Sequence, residues 1–123
     1  MEYRERAYRQ TVTASGLLTF QVVVRETDLF ISADTDLTEK AWTSILKHRN
    51  HLESYIKMHP VFLHSLTPLP NDPLAPPIVR TMLAAANIAG VGPMAAVAGA
   101  VAAYVGRELL ADTKNIIIEN GGD

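Results

Sequence analysis

The sequence predicts an α+β fold: an antiparallel β-sheet with three helices packed on it. Three observations carry that expectation. Leu17 to Val24 and Leu29 to Ala33 are rich in β-branched residues and suit half-buried strands. Leu37, Ala41, Ile45, Leu52 and Ile56 recur at spacings that share one helical face. From Thr81 to Gly106 no side chain is charged, and Gly90, Gly92 and Pro93 break that stretch into two apolar helices.

In chain order, Tyr3 to Thr13 alternates loosely and runs into Ala14-Ser15-Gly16, a turn cluster. In the next strand Phe20, Val22 and Val24 fall on one face, with Thr19 and Gln21 on the other. Arg25-Glu26-Thr27-Asp28 turns the chain into a third strand, which makes a meander. Asp36 reads as a helix N-cap with Glu39 three residues on, a capping-box spacing. This first helix is expected to run to about Met58 and stop before Pro60, because proline disfavours a helical residue before it. Residues 59–77 hold Pro60, Pro68, Pro70, Pro73, Pro76 and Pro77 and are expected to form a loop with little regular structure. A second helix should start at Pro76 or Pro77 and end at Gly90, and a third should run from Pro93, capped by Gly92, to about Leu110. Asp112 to Asn115 turns into a last strand, Ile116 to Glu119. Internal repeats, heptads and low-complexity tails are absent from the sequence.

Bulk composition narrows the class. At 123 residues this is one domain, or the N-terminal part of one. Charged residues are 20% and hydrophobic residues 48%, which suits a packed core rather than disorder. The net charge of −2, without a long basic run, argues against nucleic acid as a partner. The apolar stretch is built of Ala and Gly and is interrupted, so it argues against a membrane span, which needs about 20 continuous strongly apolar residues. Zero cysteines exclude disulfides and thiolate chemistry within the chain. With a polar N-terminal stretch, this points to a cytoplasmic location.

The chain's last residues are Ile116-Ile117-Ile118-Glu119-Asn120-Gly121-Gly122-Asp123. Paired glycines let a backbone leave a strand in conformations closed to other residues and let a ligand approach closely. A strand end of this kind usually leads into a further element, so the chain is expected to be the first part of something longer. Its open strand edge would invite association, and a homo-oligomer is expected.

The stretches "YRERAYR", "ETDLFISAD", "HPVFLHSLTPLP", "AGVGPMAAVAGAVAAYVGREL" and "IIIENGGD" together resemble an uncharacterised ApbE-like branch found in archaea and anaerobic bacteria. The best-known members of that superfamily are flavin transferases. The resemblance covers Tyr3 to Asp123 almost throughout. It implies a small-molecule ligand of the FAD or FMN type, and work in sulfur or cofactor metabolism. It places Gly121, Gly122 and Asp123 at the family's flavin or metal region, where Asp123 would reach a Mg²⁺ ion or a ligand hydroxyl. In flavin-transferring members the comparable third helix carries a lysine next to its glycine. Here Gly99 matches the glycine, but Ala98 stands at the lysine position and an alanine at the acidic end. That departure keeps two readings open: an ApbE-like enzyme domain, or a non-catalytic ligand-binding or assembly module on the same scaffold.

Read from the residues themselves, Gly92, Pro93 and Met94 open a helix whose N-terminus could attract a phosphate or carboxylate. A glycine-terminated helix followed by a tight turn explains the same residues. Asn120, Gly121 and Gly122 could hold a cofactor, against a plain glycine-rich turn. Ala95, Gly99 and Ala103 form one row of small residues on the third helix, and Ala98, Ala102 and Gly106 another. Such rows let a helix approach a sheet, another helix or a flat cofactor, which makes Gly99 a cofactor-binding candidate; close helix packing is the expectation, so Gly99→Val should harm the protein more than Val97→Ala. His48 and His51 could share a helix face, against a solvated face. His59 and His64 flank the proline-rich loop and could move a proton, against a hydrogen-bonded loop role. Asp28 and Asp34 bracket a strand and suit turn or cap roles.

Overall fold

In the computed structural model residues 11–12 and 16–121 are described. The fold is α+β. The elements run β1 (Thr11–Val12), β2 (Leu18–Val24), β3 (Thr27–Ala33), α1 (Thr38–Met58), α2 (Val61–His64), α3 (Pro77–Ala89), a 3₁₀ turn (Pro93–Ala96), α4 (Val97–Leu109) and β4 (Ile116–Asn120). The strands form one sheet in the order β1-β2-β3-β4. Every pairing is antiparallel, with Phe20 opposite Ile31 and Ile31 opposite Ile118. The rest of the expected first strand lies outside the described residues.

The chain divides into two compact units, Met1–Leu46 with Ala102–Asp123, and Lys47–Val101. In the first unit the period-two pattern becomes a two-faced sheet. Phe20, Val22, Leu29 and Ile31 are fully buried. Thr19 and Ser32 share a 2.8 Å hydrogen bond on the opposite face, where Gln21 donates to Asp28 at 2.9 Å. Val105 and Leu109 on α4 are buried, as are Leu37, Ala41 and Ile45 at the start of α1. A Cβ on Gly106 would lie 3.2 Å from Cδ1 of Ile118, so this glycine lets α4 come close to β4.

The helix signals read from sequence mostly hold. Asp36 Oδ1 accepts from the backbone N–H of Thr38, the first residue of α1, at 3.0 Å, and the first helical bond runs from the Ala41 N–H to the Leu37 carbonyl. Leu37 therefore holds the expected cap position, and Asp36 stands one residue before it in an Asx turn that leads into the helix. α1 ends at Met58, before Pro60, and α3 starts at Pro77. Gly90 closes α3 in the left-handed region, φ 74°, with its N–H on the Ala86 carbonyl. Two expectations need correcting. Residues 59–77 are not all irregular: Val61–His64 forms a helical turn behind Pro60, with Phe62 buried. The third helix does not begin as an α-helix, since Pro93–Ala96 winds as 3₁₀ before α4.

A third correction concerns the small-residue rows. Gly99 is exposed, and a Cβ there would meet nothing within 4 Å. Ala95 and Ala103 are exposed as well. The tight row is the other one, at Gly106. Gly99→Val is therefore not expected to overpack anything.

Asp34 acts over a long sequence distance. Its Oδ2 accepts from the backbone N–H of Lys114 at 2.8 Å, from the Thr113 hydroxyl at 2.9 Å and from the Asn115 N–H at 3.2 Å. These bonds, led by the Lys114 N–H, hold the carboxyl below its usual range. The tie fastens the loop before β4 to the end of β3. Its contribution is present above the unfolded carboxyl pKa and is lost as the pH falls through the lower folded value.

Candidate functional site

Gly92, Pro93 and Met94 lie in the second unit. Gly92 and Pro93 are buried and Met94 is half-buried. A Cβ on Gly92 would lie 1.8 Å from the carbonyl oxygen of Ser65 and 3.1 Å from Cα of Leu66. The close approach that this glycine permits is thus made by the protein's own backbone. Gly92 is extended, φ −70° and ψ 154°, and its carbonyl accepts from Ala95 at 3.2 Å. The structure displays the tight-turn geometry at this point.

Asn120 and Gly121 lie in the first unit, at the end of β4; Gly122 and Asp123 fall outside the described residues. The Gly121 N–H donates to the Asp28 carbonyl at 2.8 Å. A Cβ on Gly121 would lie 2.6 Å from Cε2 of Phe30, so the backbone lies against that ring. Phe30 is 38% exposed, and Asn120 and Gly121 are exposed. Asp28 leads back to the β2–β3 turn, where Arg25 sits at φ 54°. A non-glycine residue in that region is uncommon, and a two-residue hairpin loop is what requires it. One end of the sheet therefore gathers Arg25, Gln21, Asp28, Phe30, Asn120 and Gly121. Sequence reading found the last two; Arg25 and Phe30 needed the strand register.

The histidines separate. His48 and His51 do share a face, with ring centroids 6.2 Å apart, edge to face. His48 is buried rather than solvated, which corrects the exposed-face expectation. Among the described residues no group of three His, Asp or Glu side chains is placed to hold a metal. His59 is hydrogen-bonded in the loop sense: its Nδ1 lies 3.2 Å from the Tyr55 carbonyl. Its ring stacks on Tyr55 at 4.1 Å, and Tyr55 meets Phe62 edge to face at 5.3 Å. The Tyr55 hydroxyl donates to Asp72 Oδ2 at 2.7 Å, and Asp72 Oδ1 caps the Leu74 N–H at 3.1 Å. This cluster pins the proline-rich segment to α1. Nothing in the sequence pairs Tyr55 with Asp72; only the short helix α2 folds the segment back far enough.

Desolvation first, and the Asp72 carboxylate second, push the Tyr55 phenol up to about 12. The Tyr55 hydroxyl in turn holds the Asp72 carboxyl below its usual range. Because the folded phenol value lies above the unfolded one, the pair's contribution is present below about pH 10 and is lost as the pH rises through about 12. Ultraviolet titration should show a tyrosine ionising only at about 12, and Tyr55→Phe should remove that component. A late component that persists in the variant would refute the assignment.

Comparison with known proteins defines the class. The family model described as "AbpE bacteria" matches residues 9–123, and the chain belongs to that family. Among its relatives, a UPF0280 protein of Methanocaldococcus jannaschii is 46% identical over 104 residues, which cover 84% of this chain and 42% of the relative. A UPF0280 protein of Methanococcus aeolicus is 41% identical over 105 residues, covering 84% and 42%. One from Methanopyrus kandleri is 37% identical over 108 residues, covering 87% and 44%. The chain spans less than half the length of these relatives. Among the described residues no single helix is long and apolar enough to cross a membrane.

Proposed function

We propose that this chain is an ApbE-like domain that binds a phosphorylated, flavin-type ligand at the sheet end formed by Arg25, Gln21, Asp28, Phe30 and Gly121. The observation that carries the reading is the backbone of Gly121 laid against a partly exposed Phe30 ring, which a side chain at 121 would have to displace. Around it lie groups suited to such a ligand. Gln21 offers an amide and Asp28 a carboxylate that accepts from hydroxyls, both on the Phe30 face, and Arg25 a cation for phosphate; Asn120, opposite Leu29, belongs to the other face of the sheet. The resemblance at "IIIENGGD" points to the same strand end, and to work in sulfur or cofactor metabolism. FAD or FMN fits this donor set, and Mg²⁺ at Asp123 belongs to the same proposal.

The test is titration with FAD, FMN and ATP, followed by calorimetry or flavin fluorescence. Gly121→Ala and Arg25→Asn should weaken binding at least tenfold, asparagine being chosen because it tolerates the left-handed region. Binding that both variants leave unchanged would exclude this site. A non-catalytic module on the same scaffold is the second reading, favoured by Ala98 at the lysine position of flavin-transferring members. No binding of any of the three compounds would favour it.

A further inference from the structure

The second unit exposes large apolar side chains to an unusual degree. Leu66 is 88% exposed, Leu74 94% and Ile88 89%, with Met58, Val61, Leu63 and Val91 also exposed. Isolated exposed leucines need no explanation, but contiguous ones mark an interaction surface. Two contacts bring part of this set together. Gly92 packs on the backbone of Ser65 and Leu66. Asn87 donates to the Leu69 carbonyl at 2.8 Å and so holds the loop at the end of α3. The backbone stretches that carry Leu66, Ile88 and Val91 thus meet where residues 65–69 lie against the C-terminal turn of α3 and the Gly92 that follows it. Asp and Glu, Lys and Arg are absent from residues 60–71 and from 81–101, so no charge on either segment interrupts the face.

We propose that this face, centred on Leu66, Ile88 and Val91, seats the portion of the family chain that the relatives carry outside the matched stretch. The matched stretch is only 42% of the Methanocaldococcus jannaschii and Methanococcus aeolicus relatives. More than half of each relative must pack somewhere, and at 41–46% identity this stretch keeps the same fold in them. An uncharged face with leucine and isoleucine almost fully in water is the apolar surface such a portion would bury. The inference is independent of the ligand reading, since it uses no residue of the sheet end.

The test uses this chain and a chimera in which it replaces the matched stretch of the M. jannaschii relative. Carbene labelling of Leu66, Ile88 and Val91 should fall at least fivefold in the chimera, with Ile117 on β4 as the reference. Unchanged labelling at the three positions would overturn the proposal. So would protection that already appears in the chain alone at raised concentration, which would assign the face to a second copy, or protection that needs phosphatidylcholine vesicles, which would assign it to a membrane. A second measurement covers a chimera that fails to fold. The unmatched portion of the relative, supplied as a separate chain, should bind this one in sedimentation, and Leu66→Asp with Ile88→Asp should weaken that binding at least tenfold. Absence of binding, or binding indifferent to the two charges, would count against it equally.

Discussion

Gly92→Val should destabilise the second unit by about 3 kcal/mol or more, the upper end of the range for overpacking. The reason is what the new side chain would meet. A Cβ at this position would lie 1.8 Å from the Ser65 carbonyl oxygen and 2.8 Å from its carbon. These are backbone atoms, so no rotamer change can make room. Either the 65–67 turn or the start of the 3₁₀ helix must move, and Pro93, buried beside it, resists that. The backbone of Gly92 is itself ordinary, φ −70°, so the cost is wholly steric. Gly99→Ala is the matching control. It lies in open space on α4, and alanine is favoured over glycine in a helix by up to about 1 kcal/mol. The denaturant midpoint should fall sharply for the first variant and hold or rise for the second. Equal midpoints would show that Ser65 and Gly92 are not in contact.

Phe62→Ala should cost about 3–5 kcal/mol, the range for truncating a buried aromatic side chain. Phe62 is 1% exposed and packs edge to face on Tyr55. It is the largest buried apolar side chain of the segment, whose polar ties are Tyr55 on Asp72, Asn87 on Leu69, and Ser65 on Thr67. Without the ring, those hydrogen bonds open to water, where each is worth only about 1 kcal/mol. Hydrogen exchange of residues 65–75 should therefore accelerate in the variant, and the late tyrosine ionisation should return toward about 10. Phe62→Leu should keep most of the protection. If exchange in that segment matches the parent protein, Phe62 is not its anchor.

Local signals in the sequence proved sufficient for the elements whose cause is local. Proline at the start of α3, glycine in the left-handed region at its end, the Asx turn of Asp36 into α1 (one residue ahead of the expected cap) and the alternation of β2 all act within a few residues of where they stand. They were legible because propensity, capping and period are short-range effects. The elements missed or misread depend on partners far along the chain. Val61–His64 reads as loop, because its helix is held by the burial of Phe62 and not by propensity. His48 reads as solvated, because its burial is decided by what covers that face of α1. The two candidate sites divide the same way. The glycines at 92 and 121 are visible in the sequence, and in both the missing side chain turns out to matter. Which atoms occupy the space, the carbonyl of Ser65 in one case and the ring of Phe30 in the other, is set by tertiary packing. The sequence by itself determined the α+β class, the strand alternation and the helix ends. Tertiary structure alone decided which glycine is filled by the protein's own backbone and which lies beside an exposed ring, because steric exclusion depends on atoms that sequence distance does not bring together.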